Sequence, residues 1–106
     1  AGGLLRSVHA PDALLDTARE IAREIAENTA AVSVSLTRQM LWRGLGMSHP
    51  MEAHRIDSRA VYARGRSADA GEGVTSFLEK RAPIYPDKVS QDMPGFYPWW
   101  EEPAWR

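Results

Sequence analysis

Apolar and polar positions recur along most of this chain at spacings of three and four, and four helices follow from that pattern. From Pro11 to Asn28, the residues Leu14, Ala18, Ile21, Ala22 and Ile25 form one stripe, opposite Asp16, Arg19, Glu20, Arg23, Glu24 and Glu27. Pro11 and Asp12 suit a first turn, where backbone N–H groups are unpaired. Burying Leu14, Ile21 and Ile25 would contribute about 1.5–3 kcal/mol each, so packing rather than charge is expected to hold this helix. Its charged side, with an Arg23/Glu27 pair, reads as a solvated face. A second helix is predicted over about 30–45, with Val32, Leu36, Met40 and Leu41 in one strip and Val34, Trp42 and Leu45 carrying apolar character around the cylinder. A helix apolar on more than one side is sandwiched, between layers or between subunits. Val32 and Val34 alternate with Ser33 and Ser35 as in a short strand, but the length and the downstream pattern favour helix.

The third helix is predicted over about 50–64, with Ser48 as its cap and Pro50 in its first turn. Ala53, Ile56, Ala60 and Ala63 would make one narrow face, Arg55, Asp57 and Arg59 would point outward, and Gly65 would end it. The fourth, over about 68–81, has Ser67 as cap, Asp69 and Glu72 in the first turn and Lys80 with Arg81 in the last, before Pro83 stops it. Val74, Phe77, Leu78 and Arg81 fall on one face, while Thr75, Glu79 and Lys80 lie towards solvent. Gly71 and Gly73 each cost about 0.8–1.0 kcal/mol against alanine inside a helix, which suggests a close approach there.

Residues 2–8 have strand character and no visible partner strand, as in a chain that begins within a larger fold. After Pro83 the chain turns rich in proline and aromatic residues, with Phe96, Tyr97, Trp99, Trp100 and Trp105 close together. These rings need somewhere to dock, on this chain's own helices or on a neighbour's. The expected architecture is therefore all-α: four helices, a short extended N-terminal segment and an irregular tail. A helical region over 1–85 and a tail over 86–106 are the expected divisions.

Composition narrows the classes of function. A chain of 106 residues is one domain at most, and 43% hydrophobic with 25% charged residues is a globular balance. The formal charge of −1 argues against nucleic acid as a partner, even though Arg55, Arg59, Arg64 and Arg66 could serve as phosphate contacts in a helix-turn-helix. No apolar run approaches the length of a membrane span, so a soluble protein without a membrane partner is expected. The absence of cysteine excludes disulfides and thiolate chemistry and is compatible with a cytoplasmic location. Faces left uncovered by so short a chain would predict self-association.

Candidate chemistry is sparse. His49 and His54 are five apart, not the three or four that would let one helix present both to a metal, so no metal site is expected. No serine stands in a nucleophile-elbow setting. Glu20 and Glu24 could present paired carboxylates, but on a charge-rich face they read as solvated. No catalytic residue is assigned.

One string is more informative. Asp69-x-x-Glu72-Gly73-x-x-x-Phe77-x-x-Lys80-Arg81-x-Pro83-x-Tyr85 resembles the C-terminal signature of the enoyl-CoA hydratase/isomerase family, the crotonases. The likeness extends over roughly residues 3–85: Gly3-Leu4-Leu5-x-x-Val8 resembles the family's step into its C-terminal helices, and Leu14-Leu15 followed by Ala18 and Ile25-Ala26 the helix after it. Leu36-Thr37-Arg38-x-x-Leu41 is similar to the family's Thr-Lys helix, with Arg38 in place of lysine and Thr29-Ala30 where Ser-Pro is common.

The resemblance implies a place in a larger fold, a spiral of ββα units followed by a helical region that makes trimer contacts and completes the acyl-CoA site. It implies that Phe77 and Lys80 meet the adenine and phosphates of coenzyme A, the thioester being a substrate and no cofactor being needed. Phe77 is expected to serve mainly as a core side chain on the Val74/Leu78 face, and Lys80 also reads as a solvated charge. The family's chemistry is acid–base work on a thioester whose enolate is held by two backbone N–H donors, from segments that precede this region. On that resemblance the chain is a C-terminal fragment that contributes oligomer contacts and does not catalyse hydration or isomerisation alone. A different reading is a stand-alone all-α interaction module that binds a partner with its aromatic tail.

Overall fold

A computed structural model describes residues 2–105, so Ala1 and Arg106, the outermost residues of the two expected regions, lie outside the described residues. Four α-helices follow one another: α1 (Pro11–Asn28), α2 (Ala31–Gly44), α3 (Pro50–Gly65) and α4 (Ala68–Glu79). No strand occurs among the described residues; residues 2–4 make a turn, and residues 5–10 run to α1 without helix or strand. The all-α expectation holds, with helix ends within two residues of those predicted.

Local chemistry explains most ends. Pro occupies the start of α1 and of α3, where a missing N–H costs nothing. Ser67 caps α4 as expected, its Oγ accepting from the Ala70 N–H at 3.2 Å. The expected Ser48 cap of α3 is replaced by His49, whose Nδ1 accepts from the Met51 N–H at 3.0 Å. Ser48 stands one residue too early for that bond and donates instead to the Glu52 carboxylate at 2.5 Å.

The helix α3 packs on α2 and on α4. The core is small: Val32 and Leu36 of α2 and Ala60 of α3 are buried, with Met40 beside them. The tail completes it. Met93, Phe96, Tyr97 and Trp99 pack against those three residues, so the aromatic rings dock on this chain's own helices. Trp99 meets Tyr97 and Trp100 edge to face, at 6.1 and 4.9 Å between centroids. The Arg43 guanidinium lies 3.4 Å from the centroid of the Trp100 ring and donates from Nη2 to Glu102 at 2.9 Å, a carboxylate that also accepts from the Trp100 indole.

A partly buried polar cluster joins the same elements. Arg64 of α3 donates from Nη2 to Asp69 of α4 at 2.5 Å and to Asp87 of the tail at 2.9 Å, and from Nε to Ser33 of α2 at 3.1 Å. The second oxygen of Asp69 accepts from the Asp87 backbone N–H at 2.9 Å. Arg64 is thus committed within the fold and is not free to serve as the phosphate contact that a helix-turn-helix would ask of it.

Much apolar surface stays uncovered. The accessible surface is 8718 Å², whereas a compact monomer of 11.8 kDa would expose about 5,900 Å². The radius of gyration is 17.0 Å, against about 13 Å for a compact domain of this length. The helix α1 buries no residue, so the expected packing of Leu14 and Ile25 is not made within this chain. Leu41 and Trp42 of α2 and Leu45 just after it are exposed. On α4 the expected inward face is reversed. Asp69 and Ser76 are buried while Val74, Phe77 and Leu78 face solvent, so Phe77 is not a core residue of this chain.

Two truncations separate the covered from the uncovered face. In urea denaturation, Leu36→Ala is expected to cost about 2–5 kcal/mol, the usual loss for a buried leucine. Leu41→Ala, at an exposed position, is expected to stay within about 0.5 kcal/mol when the chain is dilute enough to be monomeric. A Leu41 effect as large as that of Leu36 would mean that a further surface covers α2.

Candidate functional site at the end of α4

The last turn of α4 is built by the backbone. Its helical hydrogen bonding ends at Glu79, and Lys80 takes the left-handed conformation, with φ 55° and ψ 40°. The Lys80 N–H bonds the Phe77 carbonyl at 3.3 Å and the Arg81 N–H bonds the Ser76 carbonyl at 3.1 Å. This pair of bonds is the Schellman closure, in which glycine usually occupies the left-handed position because a Cβ there is strained. Lysine in that conformation costs on the order of 1–2 kcal/mol. The predicted helix over 68–81 is therefore two residues shorter, and Lys80 and Arg81 lie past its end.

The left-handed turn reverses the chain and brings Arg81 back along α4 to Glu72. Arg81 donates from Nη1 and Nη2 to the two oxygens of Glu72, at 2.5 and 2.9 Å, and from Nε to Glu79 at 2.6 Å. A planar guanidinium on both oxygens of one carboxylate is the strongest geometry such a pair adopts. Glu72 also accepts from the Ile84 N–H at 2.7 Å, which ties the chain after Pro83 to the same carboxylate. The hydrogen bonds from Arg81 and then that from Ile84 push the Glu72 carboxyl down from about 4.5 to about 2, and Glu72 and Glu79 in turn raise the Arg81 guanidinium further above its ordinary value.

Phe77 and Lys80 sit one helical turn apart beside this clasp. Phe77 is 82% exposed and Lys80 is exposed. Among the described residues Lys80 makes no ion pair, while both charges of Glu72 and Glu79 are taken up by Arg81. An exposed phenyl ring can stack on a planar aromatic ring, and an ammonium three residues further along the chain can hold an anion. The helix C-terminus itself would repel an anion, but its last carbonyls are occupied by the Schellman bonds. The close approach expected at the glycines is mild. A Cβ on Gly73 would meet the Tyr85 ring at 3.8 Å, ordinary contact, and one on Gly71 would meet nothing.

The clasp was not visible in the sequence as such. Glu72 reads there as a first-turn charge and Arg81 as a last-turn charge, both correct in type and silent on their pairing. Positions nine apart lie about 180° apart on a continuous helix, so periodicity alone places them on opposite faces.

No protein-family profile matches the chain. Curated proteins do. An enoyl-CoA hydratase of Alternaria alternata is 42% identical over 85 residues, which are 80% of this chain and 28% of that protein. A short-chain-enoyl-CoA hydratase of Clostridium acetobutylicum is 35% identical over 79 residues, 74% of this chain and 30% of that protein. The chain is a partial segment of the crotonase family. It spans less than a third of the length of these relatives. A third, the enoyl-CoA hydratase domain-containing protein 3 of Danio rerio, is 34% identical over 83 residues, 78% of this chain and 28% of that protein. That relative is named as mitochondrial, so membership of the crotonase family does not by itself assign the cytoplasm. No helix among the described residues is long and apolar enough to cross a membrane.

The depressed Glu72 value has a defined consequence for pH dependence. A carboxyl whose folded value lies below its unfolded one stabilises the fold fully above the unfolded value, near pH 4.5, and loses that contribution as pH falls towards about 2. Glu72→Gln is therefore expected to flatten the acid limb of the stability profile between those limits and to leave its shape near neutrality unchanged. Identical acid limbs for both proteins would remove the Arg81–Glu72 pair from the account of α4.

Proposed function

We propose that this chain serves as the C-terminal helical portion of an enoyl-CoA hydratase/isomerase-like enzyme of acyl-CoA metabolism. It contributes oligomer contacts and part of the CoA-binding site, and it is not catalytically competent alone. The observation that carries the reading is identity of 34–42% to enoyl-CoA hydratases, extending over 78–80% of the chain in the Alternaria and Danio relatives. Residues 1–85 form the crotonase-like region in this reading and 86–106 an added tail.

Phe77 is assigned to stacking on the adenine of coenzyme A and Lys80 to its phosphates. Their exposure at the end of α4 supports this role, since a side chain committed to this chain's core could not reach a ligand. The uncovered apolar faces of α1, α2 and α4 support contacts with other parts of the parent enzyme or with further subunits. The excess surface, about 2,800 Å² over a compact monomer, exceeds the roughly 800 Å² that each partner buries in a standard stable interface. The cysteine-free sequence suits a reducing compartment such as the cytoplasm, and we assign it there. A stand-alone module built on the aromatic tail finds less support. Phe96, Tyr97 and Trp99 are committed to the core and Trp100 to Arg43, which leaves Trp105 as the fully exposed ring.

The residue assignment is tested by comparing coenzyme A with pantetheine, which lacks the nucleotide, in titration calorimetry on the intact protein that carries this segment. Phe77→Ala is expected to weaken coenzyme A binding roughly 5- to 150-fold, the range of one lost base-stacking contact. Lys80→Ala should weaken it roughly two- to fivefold, as for an exposed ion pair. Binding of pantetheine should not change, and an equal loss for both ligands, or none for coenzyme A, overturns the assignment. For the assembly role, sedimentation of the 106-residue chain is expected to show self-association at tens of micromolar, and a compact monomer there would overturn the packing argument.

A further inference from the structure

The left-handed Lys80 is the one non-glycine residue with positive φ among the described residues, and it is also the residue assigned to a ligand. Strain at a position where glycine would relieve it persists when neighbouring groups over-determine the conformation. The groups that do so here are identifiable. Arg81, immediately after Lys80, is anchored at both ends of its guanidinium, to Glu72 at 2.5 and 2.9 Å and to Glu79 at 2.6 Å. Glu72 then fixes Ile84, four residues after Lys80, through the Ile84 N–H at 2.7 Å. The chain on the C-terminal side of Lys80 is therefore pinned to α4 at two points, and the two Schellman bonds pin it from within.

We propose that Glu72 and Arg81 are positioning residues for Lys80: their clasp holds it in the left-handed turn, so that its ammonium is presented beside Phe77 to the phosphates of a CoA-type nucleotide. The ligand part of this inference rests on the reading given under Proposed function; the clasp part rests on the geometry alone. In this role neither Glu72 nor Arg81 need touch the ligand, their polar groups being engaged with each other, Glu79 and Ile84. Arg81 is neutralised by its two carboxylates, and this separates the roles: one cation of the adjacent pair shapes the turn, the other stays available.

A retained strain has a measurable signature. Lys80→Gly removes both the strain and the ammonium, so it is expected to raise the thermal midpoint of the intact protein by roughly 2–4 °C. The same variant should weaken coenzyme A binding roughly two- to fivefold and leave pantetheine binding unchanged. Glu72→Gln should lower the midpoint in the Lys80 protein and lower it less in the Lys80→Gly background, because glycine adopts the turn without being held. It should also weaken coenzyme A binding about twofold or more although it removes no ligand contact, with pantetheine again unaffected. Additive midpoint shifts in the double variant would overturn the clasp. Loss of coenzyme A affinity in Lys80→Gly but not in Glu72→Gln would overturn the positioning role. Non-additive midpoints with coenzyme A affinity unchanged in both variants would leave the clasp standing and overturn the assignment of Lys80 to the nucleotide.

Discussion

The interaction on which the rest of the structure depends is the Arg64 guanidinium between Asp69 and Asp87. Among the described residues it is the only group that touches α2, α4 and the tail from α3, and the side chains of Arg64, Asp69 and Asp87 are largely removed from water. Two carboxylates close together in a poorly solvated site repel each other unless a cation lies between them, so the position of Arg64 fixes where both must be. Asp69 sits in the first turn of α4, and the register of α4 against α3 follows from it. Asp87 lies where the chain has just left α4, and its backbone N–H is bound to the same Asp69. From that anchor the tail runs on to lay Met93, Phe96, Tyr97 and Trp99 over Val32, Leu36 and Ala60. The hydrophobic core of so small a bundle is thus completed by residues whose approach is set by a polar cluster.

The same anchor explains why α4 shows its apolar side to solvent. With Asp69 directed into the cluster, the residues one and two turns further along that side are Gly73 and Ser76, which are half-buried and buried. Val74, Phe77 and Leu78 are then turned outward by helical geometry alone. A strongly amphipathic helix held with its apolar stripe in water is costly in isolation and makes sense when another surface receives the stripe. The relatives are more than three times the length of the stretch they share with this chain, which is consistent with such a surface lying elsewhere in a larger protein. The uncovered stripe of α1 and the exposed Leu41 and Trp42 of α2, with Leu45 just after it, repeat the argument on two further helices.

These facts mark what was legible in the sequence. Helix positions were, because the signals that set them are local: Pro11, Pro50 and Ser67 each satisfy or remove N–H groups within a turn of themselves, and periodicity supplied the lengths. The family likeness was legible too, in the Glu72 to Pro83 string. The direction in which each stripe points was not, because periodicity detects an apolar face without saying whether its partner belongs to the same chain. Phe77 shows the difference, apolar and in phase with Val74 and Leu78, yet exposed with them. The choice between Ser48 and His49 as a cap turned on a single position, finer than pattern reading resolves. Arg64 with Asp69 and Asp87 was missed for another reason: the separations of 5 and 23 residues belong to no helical or turn spacing, and only the packing of α3 on α4 brings them together.

The end of α4 shows how a local rule can fail informatively. A helix whose last residues are Lys and Arg before a proline reads as a dipole-matched terminus, and each charge does carry the expected sign. The structure divides the pair. Arg81 leaves the helix axis, folds back and is consumed by Glu72 and Glu79, so it contributes little net charge to the surroundings of the terminus. Lys80 occupies the residue position that a helix would normally give to glycine. Had stability alone decided that position, glycine would serve better there, and the acid–base partners of Arg81 would have less to hold in place. Among the described residues, Lys80 is thus kept in a strained turn by a bidentate pair beside it and has no carboxylate of its own, an arrangement that helix-terminus rules alone do not produce.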